Sequence, residues 1–352
     1  MEYAMSRLNK LIISFLGMAV LFFSYSTVTI EASELKFSVE PILPENQINQ
    51  EHTYFDLIVE PDQKQTVKVH MRNDTNQDIF VVPHIEAATT NINGVVEYGE
   101  SNSKLDKTAP YNIADLVKAK EKEVKIPANN SYDLEIEIKM PKEKFEGVLA
   151  GGITLQEKDE PQKENKSKKQ QGLAIENKYA YVVAIILQEN LEELTQTLTL
   201  DKVVPSQVNA RNTINATLKN REATYINQLS VETKITKKGD KSILYSSEKE
   251  GMQMAPNTSF AYPIFLDGKK LKPGKYTLDM KVKSAKQGWE FTKEFEVEPE
   301  VAKRLNASDV TIEKDNYLWL YSTVAIVIVI LLVSYLLIKN KKKADFIMNL
   351  AI

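Results

Sequence analysis

Three histidines, 48 acidic side chains and no cysteine are what this 352-residue chain offers for chemistry. Without cysteine there is no thiolate nucleophile, no disulfide and no zinc site built on sulfur ligands. His70 falls on the polar face of the alternating segment Thr66–Arg72 and reads as a solvated side chain. His84 and Glu86 share a strand face, but one histidine and one carboxylate are too few ligands for a metal. His52 lies in a polar stretch just before Tyr54. No Gly-x-Ser-x-Gly elbow, His-Glu-x-x-His helix or Walker loop occurs. Gly151-Gly152 lacks the strand–turn–helix setting of a phosphate loop and is better read as permitting close strand packing. Glu135 and Glu137 sit on one polar strand face, where solvation accounts for them. The expectation is a protein that is not an enzyme, with no catalytic residue, no metal site and no cofactor.

The elements that would carry any binding surface are strands. Val67, Val69 and Met71 alternate with Lys68, His70 and Arg72, and Leu134, Ile136, Ile138 and Met140 alternate with Asp133, Glu135, Glu137 and Lys139. Further strands are expected at Tyr54–Val59, Ile79–Ala88, Glu123–Ile126 and Gly147–Gln156, with one short helix within Asn112–Lys120. Residues 157–172 have no apolar side chain beyond Pro161 and form a linker or long loop. A second series follows: Tyr179–Gln188, Leu198–Val204, Thr213–Lys219, Ile226–Thr236, Ile243–Ser246, Phe260–Leu266, Tyr276–Ser284 and Trp289–Val297. Tyr179–Leu187 is apolar but too short to span a bilayer, so a buried central strand is expected. The fold class is therefore all-β: two tandem immunoglobulin-like β-sandwiches, residues 33–156 and 173–300, plus one C-terminal transmembrane helix.

The ends locate the chain. Arg7 and Lys10 precede a 13-residue apolar run, Leu11–Phe23, and small residues follow, as in a secretory signal; residues 1–32 are assigned to it, with cleavage after Ala32. Tyr317–Ile338 is a 22-residue stretch without charge, long enough to cross a bilayer as a helix. Tyr317, Trp319 and Tyr321 crowd one end, and Lys339, Lys341, Lys342 and Lys343 follow the other, so the 14-residue tail 339–352 is cytoplasmic and both domains lie outside. Residues 301–316 would be a juxtamembrane stalk. The formal net charge is −3, and with the basic tail set apart the ectodomain is more acidic still. That balance argues against a nucleic-acid partner, whose binders normally carry a basic patch. A cysteine-free surface protein suits a Gram-positive cell, and sequons such as Asn73-Asp74-Thr75 are read as chance.

The two halves look like divergent copies. Val69-His70-Met71-Arg72-Asn73 compares with Ala216-Thr217-Leu218-Lys219-Asn220, and Pro127-Ala128-Asn129-Asn130-Ser131 with Ala255-Pro256-Asn257-Thr258-Ser259. Gly147 before Leu149 compares with Gly274 before Tyr276. The spacings place an insertion around Thr89–Lys120 in the first copy, either a domain-specific binding surface or a surface elaboration.

Several ordered motifs carry a family resemblance. Phe37-Ser38-Val39-Glu40-Pro41, Pro44-Glu45-Asn46-Gln47, Tyr54-Phe55-Asp56-Leu57 with Pro61, Thr90, Asn93-Gly94, Tyr98, Phe145-Glu146-Gly147 and Gly151-Gly152-Ile153 resemble the WxL protein peptidoglycan-binding domain. Met254-Ala255-Pro256-Asn257, Pro273-Gly274-Lys275-Tyr276 and Trp289-Glu290-Phe291 resemble the WxL protein host-binding domain. The resemblance covers about residues 34–298 and implies a WxL-interacting protein. Its first domain would bind peptidoglycan, and its second would bind WxL-domain surface proteins or host extracellular matrix proteins. No Trp-x-Leu motif is present, so the chain would be the membrane-anchored partner. Direct matrix adhesion without a wall-binding role, or service as an accessory subunit of a membrane complex, are the alternatives. Asn46, Gln47, Tyr54, Asn93 and Tyr98 are the candidate binding residues. Against that, Pro44–Gln47 and Asn93-Gly94 could be turn formers, and Tyr54 a core ring.

Overall fold

A computed structural model describes residues 36–101, 103–158, 179–313, 321–335 and 339. The signal segment, most of the polar run 157–172 and nearly all of the tail lie outside the described residues. The first half contains β1 (Phe37–Ile42), β2 (Phe55–Ile58), β3 (Lys64–Asn73), β4 (Ile79–Ala87) and the two-residue strands β5 (Thr89–Thr90) and β6 (Val96–Glu97). It continues with α1 (Ile113–Leu116), β7 (Val117–Ala119), β8 (Val124–Ile126), β9 (Asn130–Lys139), β10 (Val148–Glu157) and β11 (Ala180–Gln188). A four-stranded sheet, β1-β3-β9-β7, faces a five-stranded one, β2-β11-β10-β4-β8. Period-two alternation sets the packing: Val67, Val69, Met71, Leu134, Ile136 and Ile138 turn inward and are buried. They meet Phe55, Leu57, Ile153, Leu155, Ile185 and Leu187 of the other sheet in one core.

The second half contains β12 (Leu198–Val208), β13 (Arg211–Asn220), β14 (Ile226–Lys237), β15 (Ile243–Met254), β16 (Ser259–Phe265), β17 (Gly274–Lys283), β18 (Gly288–Val297) and α2 (Pro299–Ser308). Sheets β12-β13-β16 and β15-β14-β17-β18 enclose a second core. The chain is mostly strand, as the sequence predicts.

Two expectations need correction. Tyr179–Gln188 does not open the second domain: β11 pairs antiparallel with β10 and parallel with β2, inside the first domain's sheet. The polar run thus joins neighbouring strands of one sheet, and strand pairing, which is non-local, overrode proximity in sequence. The short helix expected within Asn112–Lys120 is present as the single turn Ile113–Leu116, after which Val117–Ala119 pair with Ile136–Ile138 of β9. Residues 301–316 do not begin as a stalk. Pro299 starts α2, whose Ala302 and Leu305 are buried on the second domain. The carboxylate of Asp309 accepts from Asn212 N at 2.7 Å, and Asn306 exchanges hydrogen bonds with the backbone of Leu271. Residues 321–335 are helical with exposed side chains. Among the described residues no helix is long and apolar enough to cross a membrane, and the rest of Tyr317–Ile338 lies outside them.

Candidate functional site

The site begins in the loop before β2, where two amides are spent on the chain itself. Gln47 is buried: its Nε2 donates to Asn49 O and Tyr54 O, and its Oε1 accepts from Asp56 N at 3.0 Å. Asn46 Nδ2 donates to Ile58 O at 2.7 Å and to Gln65 Oε1 at 3.0 Å. These bonds fold residues 47–56 back along the edge of β2 and set the His52 ring parallel to that of Tyr54, centroids 4.6 Å apart. Asp56 stands beside them, held by Gln188 Nε2 at 3.0 Å. His52 Nδ1 is 3.8 Å from Asp56 Oδ2, beyond hydrogen-bond reach, and is a buried nitrogen without a partner.

Tyr98 comes from the insertion. Asn91 closes the β5–β6 turn by accepting from Asn93 N and Val95 N through its side chain, with Gly94 at φ +68°. The chain then crosses the outer face of β10 at Gly152, where a Cβ would lie 2.0 Å from Tyr98 O. Gly151 serves the opposite face, where a Cβ would meet Ile113 Cγ2 at 2.5 Å. The glycine pair therefore lets side chains and backbone approach β10 from both sides. Tyr98 Oη is 3.0 Å from Tyr225 Oη of the second domain.

Burial raises the Asp56 carboxyl above its ordinary value, against the hydrogen bond from Gln188 and the nearby His52. Burial, then Asp56 and Tyr98, raise the Tyr54 phenol. Tyr225 is held well above the tyrosine range by burial and by Tyr98. The raised phenols of Tyr54 and Tyr225 keep their protons at neutral pH. The cluster thus presents a stacked ring and a phenol beside the Asp56 carboxyl, which suits a polar ligand such as a sugar or peptide.

Of the five residues singled out in the sequence, Tyr54 and Tyr98 are near enough to interact electrostatically, Asn46 and Gln47 hold the loop that carries Tyr54, and Asn93 stands apart on an exposed turn. Tyr225 and Gln188 were missed. Asp56 lay inside a quoted motif, whereas Tyr225 arrives only because the domains dock, so nothing local signals it. His70 Nδ1 pairs with Asp133 Oδ1 across the strands at 2.6 Å, and His84 is exposed. Among the described residues no group of three or more metal-binding side chains occurs.

Much of the insertion is committed to the second domain. Gly94 O accepts from Gln253 N, Thr90 Oγ1 accepts from Ala255 N and lies 2.7 Å from Thr258 Oγ1, and Asp106 N donates to Asn257 O. Val148 N donates to Ala223 O at 2.7 Å. The insertion also lines an open cleft of about 420 Å³, with Glu86, Thr89, Lys104, Asp106, Tyr111 and Asn112 in its walls.

Among known proteins, the peptidoglycan binding domain of WxL Interacting Protein matches residues 37–157 and the host binding domain of the same family matches residues 170–307. No curated protein matches. Similar solved structures include the class 5 fimbriae chaperone CfaA (11% identity, covering 73% of this chain and 98% of that one, TM-score 0.30). The YadV chaperone is another (9%, 75% and 100%, TM-score 0.28), as is the E. coli chaperone DraB (14%, 69% and 94%, TM-score 0.26). The two family matches follow one another in the order the sequence motifs predict and together span the bulk of both domains, so the chain belongs to the WxL-interacting protein family.

Proposed function

We propose that this chain is a non-enzymatic, membrane-anchored scaffold of a Gram-positive surface. Its first domain holds peptidoglycan, and its second holds WxL-domain proteins or host matrix proteins. The observation that carries this is the ordered pair of family matches, both to binding domains. Each domain is taken as an immunoglobulin-like sandwich, with the wall-binding unit running through β11. Tyr54 and Tyr98 contact the glycan or its peptide, Asn46 and Gln47 hold the loop that presents Tyr54, and Asn93 lies at the rim. The uncharged run Tyr317–Ile338 supports a single membrane span, with a signal at residues 1–32 and a basic cytoplasmic tail at 339–352. Tethering would raise the effective concentration of both domains at the wall, so modest affinities suffice.

The test is co-sedimentation of the detergent-solubilised full chain with insoluble peptidoglycan, and its binding to a purified WxL-domain protein of the same cell. Retention on both supports the scaffold, and Tyr98→Ala should weaken only the first. Binding to matrix proteins with neither wall nor WxL binding would replace this reading with direct adhesion. Carbonate extraction tests the anchor: release of the full chain from membranes would sink it.

A further inference from the structure

The two domains use the same strand order in one of their sheets, β11-β10-β4-β8 and β18-β17-β14-β15, yet the final edge strands differ. β8 has 3 residues and β15 has 12. Several other edges of the described sheets are blunted in ways that natural sheets use against stray pairing, and β18, the opposite edge of the same sheet, lies against β12. β1 carries Pro41, β16 carries Pro263, β7 is three residues long, and α2 packs beside β12. β15 has no proline.

Its backbone is available in a defined register. Lys238 N donates to Lys275 O, towards β17, so even-numbered residues of β14 face β17 and odd-numbered ones face β15. Thr233 and Ile235 therefore engage Ser247 and Tyr245. The N–H and C=O groups of Ser246 and Glu248 then point away from the sheet. Further along the same edge the position is already taken: Gln253 N donates to Gly94 O of the first domain, whose turn packs on Met252. The edge thus accepts first-domain backbone at one end and, among the described residues, is open at the other. Beside the open part runs a groove of about 530 Å³ whose lining includes Glu232, Glu248, Glu250, Lys283 and Trp289. Lys234 pairs with Glu232 and also feels the Glu248 carboxylate, while neither Glu248 nor Glu250 makes an ion pair among the described residues. Two like carboxylates on the edge also disfavour pairing with a second copy of this chain.

We infer that residues 243–250 of β15 receive an extended segment of a WxL-domain partner, which adds a strand to the sheet and sets lysine or arginine side chains against Glu248 and Glu250. This rests on the proposed role of the second domain. The test measures binding of a purified WxL-domain protein of the same cell to the full chain and to two variants. Ser246→Pro removes an outward N–H that β14 does not use. The double variant E248K/E250K keeps the backbone and reverses the charge. The expected losses are about tenfold for the proline and about threefold or more for the charge reversal, the latter with a weaker salt dependence. Amide exchange at Ser246 and Glu248 should slow in the wild-type complex. If the wild type binds and the charge variant and both amides are unaffected, the edge proposal falls while the scaffold reading survives. If the wild type does not bind, that reading fails and takes this one with it. A wild-type dimer that Ser246→Pro dissociates would show that the edge closes on a second copy instead.

Discussion

The two domains are copies of one frame, and one buried asparagine in each makes the comparison concrete. Asn73 ends β3 and Asn220 ends β13, both fully buried. Asn73 Nδ2 donates to Gln77 O, Ile126 O and Pro127 O, and Asn220 Nδ2 donates to Thr224 O and Ala255 O. Asn129 N bonds Thr75 O and Asn257 N bonds Glu222 O, both at 3.0 Å, with both asparagines at positive φ. The same knot therefore ties a turn to the following hairpin in each copy. Its surroundings differ. Asn129 is exposed, whereas Asn257 is buried beneath the first domain's insertion, with its Nδ2 on Thr108 Oγ1. A local turn device has become, in one copy only, the platform on which the other domain rests.

Gly152 should break the comparison most sharply. Its counterpart in β17, by the same alignment, is Asp279, exposed and bonded to Thr292 Oγ1. Gly152→Ala would drive Tyr98 O away and is expected to destabilise the protein by about 3 kcal/mol or more, while Asp279→Ala stays within about 0.5 kcal/mol. Thermal midpoints of the two variants decide it.

The asparagines come next. Asn73→Ala and Asn220→Ala each leave buried carbonyls unpaired, at roughly 2–3 kcal/mol. Only Asn220→Ala should also raise protease sensitivity in residues 89–108, because that segment leans on the second knot. Equal sensitivity in both variants would remove the distinction between them.

Thr258→Ala is expected to cost about 1–2 kcal/mol, since it cuts the bonds to Thr90 and Ala255 O. Thr75→Ala, in the exposed knot, should cost less. Denaturant midpoints rank the pair.

The smallest effect is a pH dependence. The folded Asp56 carboxyl titrates above the ordinary value of 3.8, so the native state binds more protons than the unfolded one just above that pH. Stability contributed by this group therefore falls as pH rises through that window, opposite to the usual carboxylate. Asp56→Asn retains an oxygen for Gln188 and should flatten that slope. Melting curves between pH 3.5 and 6 measure it.

Much of the frame was legible because it is local. The alternation in Thr66–Arg72 and 133–140 assigned faces that the cores confirm, and the paired Asn-Pro-turn segments revealed the duplication. The junction was not legible. Tyr54 and Tyr98 could be named from motifs, but Tyr225 has no signal in its neighbours. The helix Pro299–Ser308 is written in its proline start and its spacing of Ala302 and Leu305, but the partners that dock it, Asn212 and Leu271, are far away in sequence, so nothing local separates it from a stalk.

By itself the sequence determined strand faces, the repeat, the apolar ends and the family, because side-chain periodicity and composition are properties of short stretches. Tertiary structure alone decided that β11 returns to the first domain's sheet, that the insertion braces the second domain, and that one edge of β15 stays open. Backbone N–H and C=O groups are the same at every residue, so which strands they join depends on how distant segments bury their faces, not on the letters of either strand.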